Sequence, residues 1–448
     1  MNTATIDPDL LLADLKRRAP QEKHFLRGVS DLLTCVTDLV NARPEYREAA
    51  ILQRITEPDR SIGLRVVWAD DDNRVRVNRG WRVQFSNAIG PYKGGLRFHP
   101  NVDLDLFKLL GFEQTFKNAL TGLPMGGAKG GADFDPHGRS EAEIMRFCQA
   151  FITELHGHIG PRRDIPAGDI GVSDREIGFM FGQYKRLTGL FSGSMTGKGL
   201  EFGGSRLRRE ATGYGVIYFL QEMLEYCGQS LEGRRAAISG AGNVATHAAE
   251  KFVELGGVAV TLSDSKGFLH VKDGFRPEQI ARVRSARRDP DVRLRDLTDE
   301  FDGVWHEGCK PWAVACDIAL PCATQNEIGC EDAKALAGNG CRALVEGANM
   351  PLTPGAVAVI RDAGLLYAPG KAANLGGVAM SGMELSQNAA RLERSQKDLS
   401  ETLHRIIRDA HESCLVHGER DSGIDYVRGA NVAGFVKVAD AMTAFGVV

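Results

Sequence analysis

The residues with the most chemistry to offer are lysines set among glycines. The stretch Gly122-Leu-Pro-Met-Gly-Gly-Ala-Lys-Gly-Gly131 places Lys129 among five glycines. Glycine carries no Cβ and tolerates positive φ, so such a segment can bring backbone N–H groups close to a ligand. A lysine in a tight, partly desolvated setting loses its proton more readily than one in water. Together these features suit chemistry on a small anionic or carbonyl substrate; a flexible surface turn is the plain alternative. A phosphate-cradling P-loop is excluded. That motif requires G-x-x-x-x-G-K-[ST], and here Lys129 lies between Ala128 and Gly130.

Other chemistry-bearing residues flank this stretch. Gly90-Pro-Tyr-Lys-Gly-Gly-Leu-Arg-Phe-His99 reads as a second Gly-rich turn, holding Lys93. Asp103 to Thr121 reads as a helix with Leu109, Phe112, Phe116 and Leu120 on one face. Gln114, Lys117, Asn118 and Thr121 form a polar stripe that leads directly into the Lys129 segment. Such a stripe is either solvated or turned to a ligand. Asp169 sits between Gly168 and Ile170 in an irregular segment. His156 and His158 diverge at a helix end with no carboxylate at ligand spacing, so no metal site is expected.

These residues need elements to hold them. An amphipathic helix is expected over 22–43, with Phe25, Val29, Leu32, Val36 and Val40 as its buried stripe. Leu64–Trp68 and Val75–Val77 read as a strand pair around a polar turn. Ser140-Glu-Ala-Glu143 and Ser173-Asp-Arg-Glu176 are capping boxes, and Thr212 to Gly215 opens a further helix. Ala236–Ser239 is then a strand, Gly240-Ala-Gly-Asn-Val-Ala245 a turn, Ala245–Leu255 a helix and Val258–Leu262 a second strand before Ser263 and Asp264. Strand, G-x-G-x-x-A, helix, strand and acid is the pattern of a βαβ dinucleotide site, with the pyrophosphate at the helix N-terminus. The Arg-rich segment 282–295, interleaved with acids, reads as solvated. A late helix carries Leu399, Leu403, Ile406, Ala410 and Cys414 and is expected to pack back on the first domain.

Composition sets the class. The chain has 448 residues, enough for two or three domains, and a formal net charge of −3 that favours neither nucleic acid nor an anionic membrane as partner. No apolar run approaches bilayer length, and the N-terminal twenty residues place acids among their leucines, unlike a signal peptide. Nine dispersed cysteines without a C-x-x-C pair fit free thiols in a reducing cytoplasm.

The blocks PYKGGLRFHP, GLPMGGAKGG, IPAGDIGV, TGKGLEFGGS, EATGYG, SGAGNVA, SDSKG, PCATQNE, EGANMP and GKAANLGGVAMSGMELSQNAAR, in this order, resemble the glutamate dehydrogenase family, specifically its NADP-dependent bacterial and fungal branch. Leu375 departs from the family pattern, which has a smaller residue there. The resemblance implies an α/β protein of two domains. Residues 1–205, completed by 378–448, would form an N-terminal α/β substrate and oligomerisation domain, on which the C-terminal helices pack. Residues 206–377 would form a Rossmann-like dinucleotide-binding domain, with the substrate in a closing cleft.

The implied reaction is reversible oxidative deamination of L-glutamate to 2-oxoglutarate and ammonium. Lys129 would be the catalytic lysine and Asp169 the proton-transferring aspartate. Lys93 and Ser381 would hold the side-chain carboxylate with Val378 lining the pocket; Gln114, Lys117 and the Gly168 backbone would hold the α-carboxylate. The crowding of Lys93, Lys117 and Lys129 should depress the pKa of at least one of them. Thr212, Gly240, Gly242, Asn243, Val244 and Asn349 would contact the cofactor. Asp264 alone would favour NAD, whereas Ser263, Ser265 and Lys266 around it would receive the 2′-phosphate of NADP, the preferred reading. A cytoplasmic homohexamer without a metal is implied. An amino-acid dehydrogenase of the same fold for apolar substrates is the nearest alternative, and an unpaired buried Lys93 would count against it.

Overall fold

The computed structural model describes residues 5–287, 289, 291–421 and 423–448. Its first sheet grows from the alternation read between residues 60 and 86. Strands β1 (Arg60–Ala69) and β2 (Val75–Ser86) pair antiparallel around a turn that the Asp70 carboxylate stabilises by accepting from the Asp72 and Arg74 N–H groups. The strands β3 (Tyr92–Phe98), β4 (Gly127–Ala132) and β5 (Asp164–Gly168) complete a five-stranded sheet in the order β1-β2-β4-β3-β5. β3 runs parallel to both β4 and β5.

Two expectations change here. Both Gly-rich stretches contain interior strands of one sheet, not only turns. Most of their glycines serve close packing. A Cβ at Gly94 would lie 1.6 Å from the Ala128 oxygen, and one at Gly127 would lie 2.0 Å from Thr115 Oγ1. Gly90 (φ +152°) at the start of one stretch, and Gly122 (φ +73°) and Gly131 (φ +147°) at the ends of the other, are where the chain needs glycine's backbone freedom.

Helices cover the two faces of this sheet. Lys23–Ala42 buries Phe25, Val29, Leu32, Val36 and Val40, as its periodicity predicts, and joins Leu104–Leu120 in one apolar layer. Glu141–Leu155 lays Phe147, Phe151 and Leu155 into a second layer. The Ser140 hydroxyl caps this helix, but the Glu143 carboxylate accepts from Asp71 N–H rather than closing the expected box. Ser173 and Glu176 do form theirs.

The second sheet is all parallel in its pairings. It consists of β6 (Arg235–Ile238), β7 (Val258–Ala259), β11 (Ile318–Leu320), β12 (Ala343–Val345) and β13 (Leu366–Ala368), in the order β13-β12-β11-β6-β7. The order reverses between β6 and β11, which is the switch point where a doubly wound sheet of Rossmann type binds its ligand. The intervening β8 (Thr261–Ser263), β9 (Gly267–His270) and β10 (Val304–Glu307) form a small antiparallel sheet. Of the 282–295 segment, Arg288 and Pro290 lie outside the described residues.

The chain divides into two compact units, Met1–Arg206 with Ser381–Leu399 and Asn431–Val448, and Leu207–Met380 with Ser400–Ala430. The C-terminal region is thus shared. The last helix, Tyr426–Phe445, brings Phe435 against Tyr46 of the first unit. Most of Gln396–Gly418 instead belongs to the second, where Ser400 hydrogen-bonds Tyr218 and His411 meets Phe219 edge-on. Its apolar stripe therefore has a different partner from the one expected.

Candidate active site and dinucleotide site

Strand register explains how residues far apart in sequence meet. Leu96, Gly130 and Gly168 align across β3, β4 and β5. Side chains alternate along a strand, so Lys93, Gly95, Arg97 and Lys129 share one face, and Asp169 follows β5 with the same parity. Lys129 Nζ lies 3.3 Å from Asp169 Oδ1, and Arg97 Nε donates to Asp169 Oδ2 at 2.7 Å. Gly95 makes room for this cluster: a Cβ there would stand 2.9 Å from Asp169 Cβ and 3.3 Å from Lys129 Nζ.

Lys129 is only 7% exposed. Burial pushes its pKa down; the Asp169 carboxylate opposes the shift, Arg97 and Arg82 reinforce it, and the net direction is downward. The lowering was expected; Arg97 and Arg82 are among its largest contributors. Asp169 moves down as well. Burial alone would raise it, and Lys129 and Arg97 together outweigh that. Its carboxylate stays ionised while the lysine beside it gives up a proton more easily.

The opposite face of the sheet is a buried brace. Arg82 and Asp164 are both fully buried and paired through two hydrogen bonds, Nε to Oδ2 at 2.9 Å and a second from the NH2 nitrogen to Oδ1. Gln84 donates to the same carboxylate at 3.0 Å, and Arg82 also donates to the Gly94 carbonyl. These contacts fix the strands that present Lys93, Lys129 and Asp169.

The polar stripe of Leu104–Leu120 is not solvated. Gln114 donates to Asn118 at 2.7 Å, and Asn118, fully buried, donates to the Lys93 and Gly126 carbonyls. Lys117 is half-buried and Lys93 is buried. Ser381 is buried on the helix Gly376–Ala390. The next residue, Gly382, is pressed against Leu123 and Met125, and Glu384 one turn on pairs with buried Lys198 at 3.0 Å. Ser381 is thereby held by the segment that leads into β4. Val378, on the same helix, belongs to the other unit and is half-buried.

Arg97 escaped sequence reasoning, although it lies within the PYKGGLRFHP block. Thr196 was missed too: its hydroxyl is buried without a hydrogen-bond partner, beside β5, where its N–H donates to Pro166.

The second unit builds its site from backbone. Gly240 takes φ +86°, and a Cβ there would crowd the Cys322 carbonyl at 3.1 Å, so the turns after β6 and β11 meet at the switch point. Gly242 precedes the helix Asn243–Glu254, whose first turn has no side-chain cap, and a Cβ on Gly242 would point into open space. Uncapped N–H groups facing open space fit a pyrophosphate. Asn243 is exposed and Val244 half-buried; Thr212 lies in the first turn of Ala211–Tyr226. Asn349 Oδ1 accepts from Asn374 at 3.0 Å. Leu375 is completely buried.

At the end of β8 the predicted residues divide. Ser263 is buried and its hydroxyl oxygen accepts from Gly240 N–H at 2.7 Å, so it supports the turn. Asp264 accepts from Lys266 N–H at 2.7 Å, while the side chains of Ser265 and Lys266 are exposed. Among the described residues no group of three or more His, Cys, Asp or Glu could hold a metal ion, and no helix is long and apolar enough to cross a membrane.

Comparison with known proteins agrees with both halves of this arrangement. The chain is 52% identical to the NADP-specific glutamate dehydrogenase of Salmonella typhimurium across 99% of each chain. It is 50% identical to the NAD-specific glutamate dehydrogenase of Bacteroides fragilis, over 98% of this chain and 99% of that one. Its fold superposes on glutamate dehydrogenase 2 of Plasmodium falciparum with a TM-score of 0.95 at 43% identity, covering 100% and 99% of the two chains. Residues 58–186 match the Glu/Leu/Phe/Val dehydrogenase dimerisation domain, and residues 203–446 match the Glutamate/Leucine/Phenylalanine/Valine dehydrogenase model; the chain belongs to that family.

Proposed function

We propose that the chain is an NADP-dependent glutamate dehydrogenase that interconverts L-glutamate with 2-oxoglutarate and ammonium. The observation that carries this reading is the Lys129–Asp169–Arg97 cluster, its lysine buried and its two partners half-buried, beside Lys93 on one face of the first sheet. A dicarboxylate requires cations for both its ends. Lys93 and Ser381 would take the distal carboxylate with Val378 lining the pocket, and Gln114, Lys117 and the Gly168 N–H the α-carboxylate. The relatives matched over nearly the whole chain are glutamate dehydrogenases, which disfavours the leucine, valine and phenylalanine members of the family.

The proton chemistry follows from the two lowered pKa values. A neutral Lys129 amine can accept a proton from ammonium, leaving ammonia to attack the 2-oxo carbon, and return it to the carbonyl oxygen, which departs as water; in the reverse direction it accepts the proton of the water that attacks the imine. Asp169, held ionised by Lys129 and Arg97, can pass a proton to or from the substrate nitrogen. Arg97 orients that carboxylate. NADP(H), when bound, supplies or accepts the hydride. Gly240, Gly242, Asn243 and Val244 would hold its pyrophosphate, Thr212 and Asn349 would add further cofactor contacts, and Ser265 and Lys266 would take its 2′-phosphate, with Asp264 held by its own turn.

Similar overall identity to NADP-specific and NAD-specific relatives leaves cofactor choice to these local residues. The preferred assembly is a cytoplasmic homohexamer acting in ammonium assimilation; the dimerisation-domain match supports self-association. The test is to mix 2-oxoglutarate and ammonium with NADPH, then NADH, and compare initial rates. Faster oxidation of NADPH is expected. No oxidation of either would refute the activity, and faster oxidation of NADH would refute the cofactor.

A further inference from the structure

The first unit has a second concentration of positive charge, apart from the catalytic cluster. A cavity of about 420 Å³ is lined by Arg60, Arg162, Arg163, Asn87 and the Gly90–Tyr92 turn. That volume lies within the range of small-molecule sites, roughly 300–1,000 Å³. No carboxylate lines it. Among the described residues no hydrogen bond or salt bridge occupies the Arg60 or Arg162 guanidinium, and both residues are exposed. Arg163 uses one N–H on the Gly157 carbonyl at 2.8 Å. The neighbouring Asp59 accepts through Oδ2 from two of the lining residues, the Tyr92 hydroxyl at 2.8 Å and Asn87 N–H at 3.3 Å, and its carboxylate offsets part of the charge of Arg60.

The walls are rigid. Tyr92 N–H donates to the Arg163 carbonyl, and Gly126 N–H to the Pro91 carbonyl, each at 2.9 Å. Gly90 has φ +152°, and a Cβ there would meet the Pro124 backbone at 2.3 Å, so the turn is wedged against the segment leading into β4. Three arginines border one hollow with a single carboxylate, Asp59, beside them, so positive charge is in excess there and an anion would offset it. The guanidinium fork pairs with phosphate oxygens through two parallel hydrogen bonds. Three such forks exceed what a single phosphate needs.

We propose that the cavity between Arg60, Arg162 and Arg163 binds a small polyphosphate-bearing anion, at a site separate from the catalytic lysine and aspartate. Free inorganic polyphosphate and the phosphate chain of a nucleotide share the chemistry that would be recognised.

The test is calorimetric titration of the full-length protein with inorganic tripolyphosphate and, in a second arm, with ATP, at constant ionic strength and with 2-oxoglutarate in excess to fill the substrate site. Wild type is compared with Arg162→Ser/Arg163→Ser and with Arg60→Met, each first checked for an unchanged unfolding midpoint. Saturable binding weakened about tenfold or more in both variants, with turnover in the absence of polyphosphate unaltered, is the expected result. Tighter binding of ATP would assign the site to a nucleotide, and equal binding to the phosphate chain alone. Equal affinity in wild type and variants, or no saturable binding, would overturn the proposal. So would a smaller assembly in sedimentation of either variant, since the arginines would then belong to a contact with a second copy. The binding readout does not depend on the proposed reaction.

Discussion

The proposed catalytic cluster of the first unit and the proposed dinucleotide site of the second hold charge in opposite ways. The first takes charged side chains out of water and pairs them: Arg82 with Asp164, Lys198 with Glu384, and Lys129 and Arg97 with Asp169. The second offers a glycine turn, an uncapped helix N-terminus and exposed side chains at the end of β8. The difference matches the work proposed for each. Proton transfer needs a group whose pKa is shifted, and burial among charges supplies that. Holding a pyrophosphate needs N–H donors and a close approach, and backbone supplies both. Single side chains should therefore dominate catalysis in the first unit, while in the second a side-chain change should alter affinity by modest factors.

The sharpest contrast is Lys129→Met, which should lower kcat by about 10³-fold or more while NADPH affinity stays within about twofold; steady-state rates and a fluorescence titration would show it. Gly95→Ala should come next. Its Cβ would displace Asp169 from Lys129, and a shift on the order of 1 Å costs about 10²-fold in kcat. Circular dichroism would separate this effect from misfolding.

Arg97→Met tests the electrostatics. Arg97 lowers the pKa of both Lys129 and Asp169, so its loss should move both upward. If a neutral Lys129 is required, the rising limb of kcat against pH should shift to higher pH. Arg97→Lys should recover most of the shift, and an unmoved limb would detach Lys129 from the arginine. The smallest effect is expected in the second unit. Lys266→Ala should raise the KM for NADPH about tenfold with kcat nearly constant and leave NADH untouched. A loss of kcat there comparable to that of Lys129→Met would break the contrast between the units.

The sequence reveals patterns that are local and periodic. The stripe of Lys23–Ala42, the N-cap of Ser140 and the βαβ unit around Gly240 follow from spacing, because each is decided within one or two elements. Gly-rich strands are harder to recognise. Gly94 and Gly127 carry no side chain that could show alternation, and what their absent Cβ atoms make room for lies on other elements. Arg97 and Asp169, 72 residues apart, and Arg82 and Asp164, 82 apart, meet only through the order of β2, β4, β3 and β5. The family resemblance supplied Lys129 and Asp169 as a pair. The arginine that joins them comes from the structure, as does the hydrogen bond that turns Ser263 toward Gly240.

The central claim is that Lys129 is a buried lysine whose proton is held loosely. Competitive acylation of the full-length protein over a pH series, with the Lys129 peptide quantified by mass spectrometry, measures this directly. Normalised to its accessible reactivity at high pH, Lys129 should reach half its reactivity well below the ordinary lysine value of about 10.4, and Arg97→Met should move that midpoint upward. A midpoint at the ordinary value, unmoved by Arg97→Met, would contradict it.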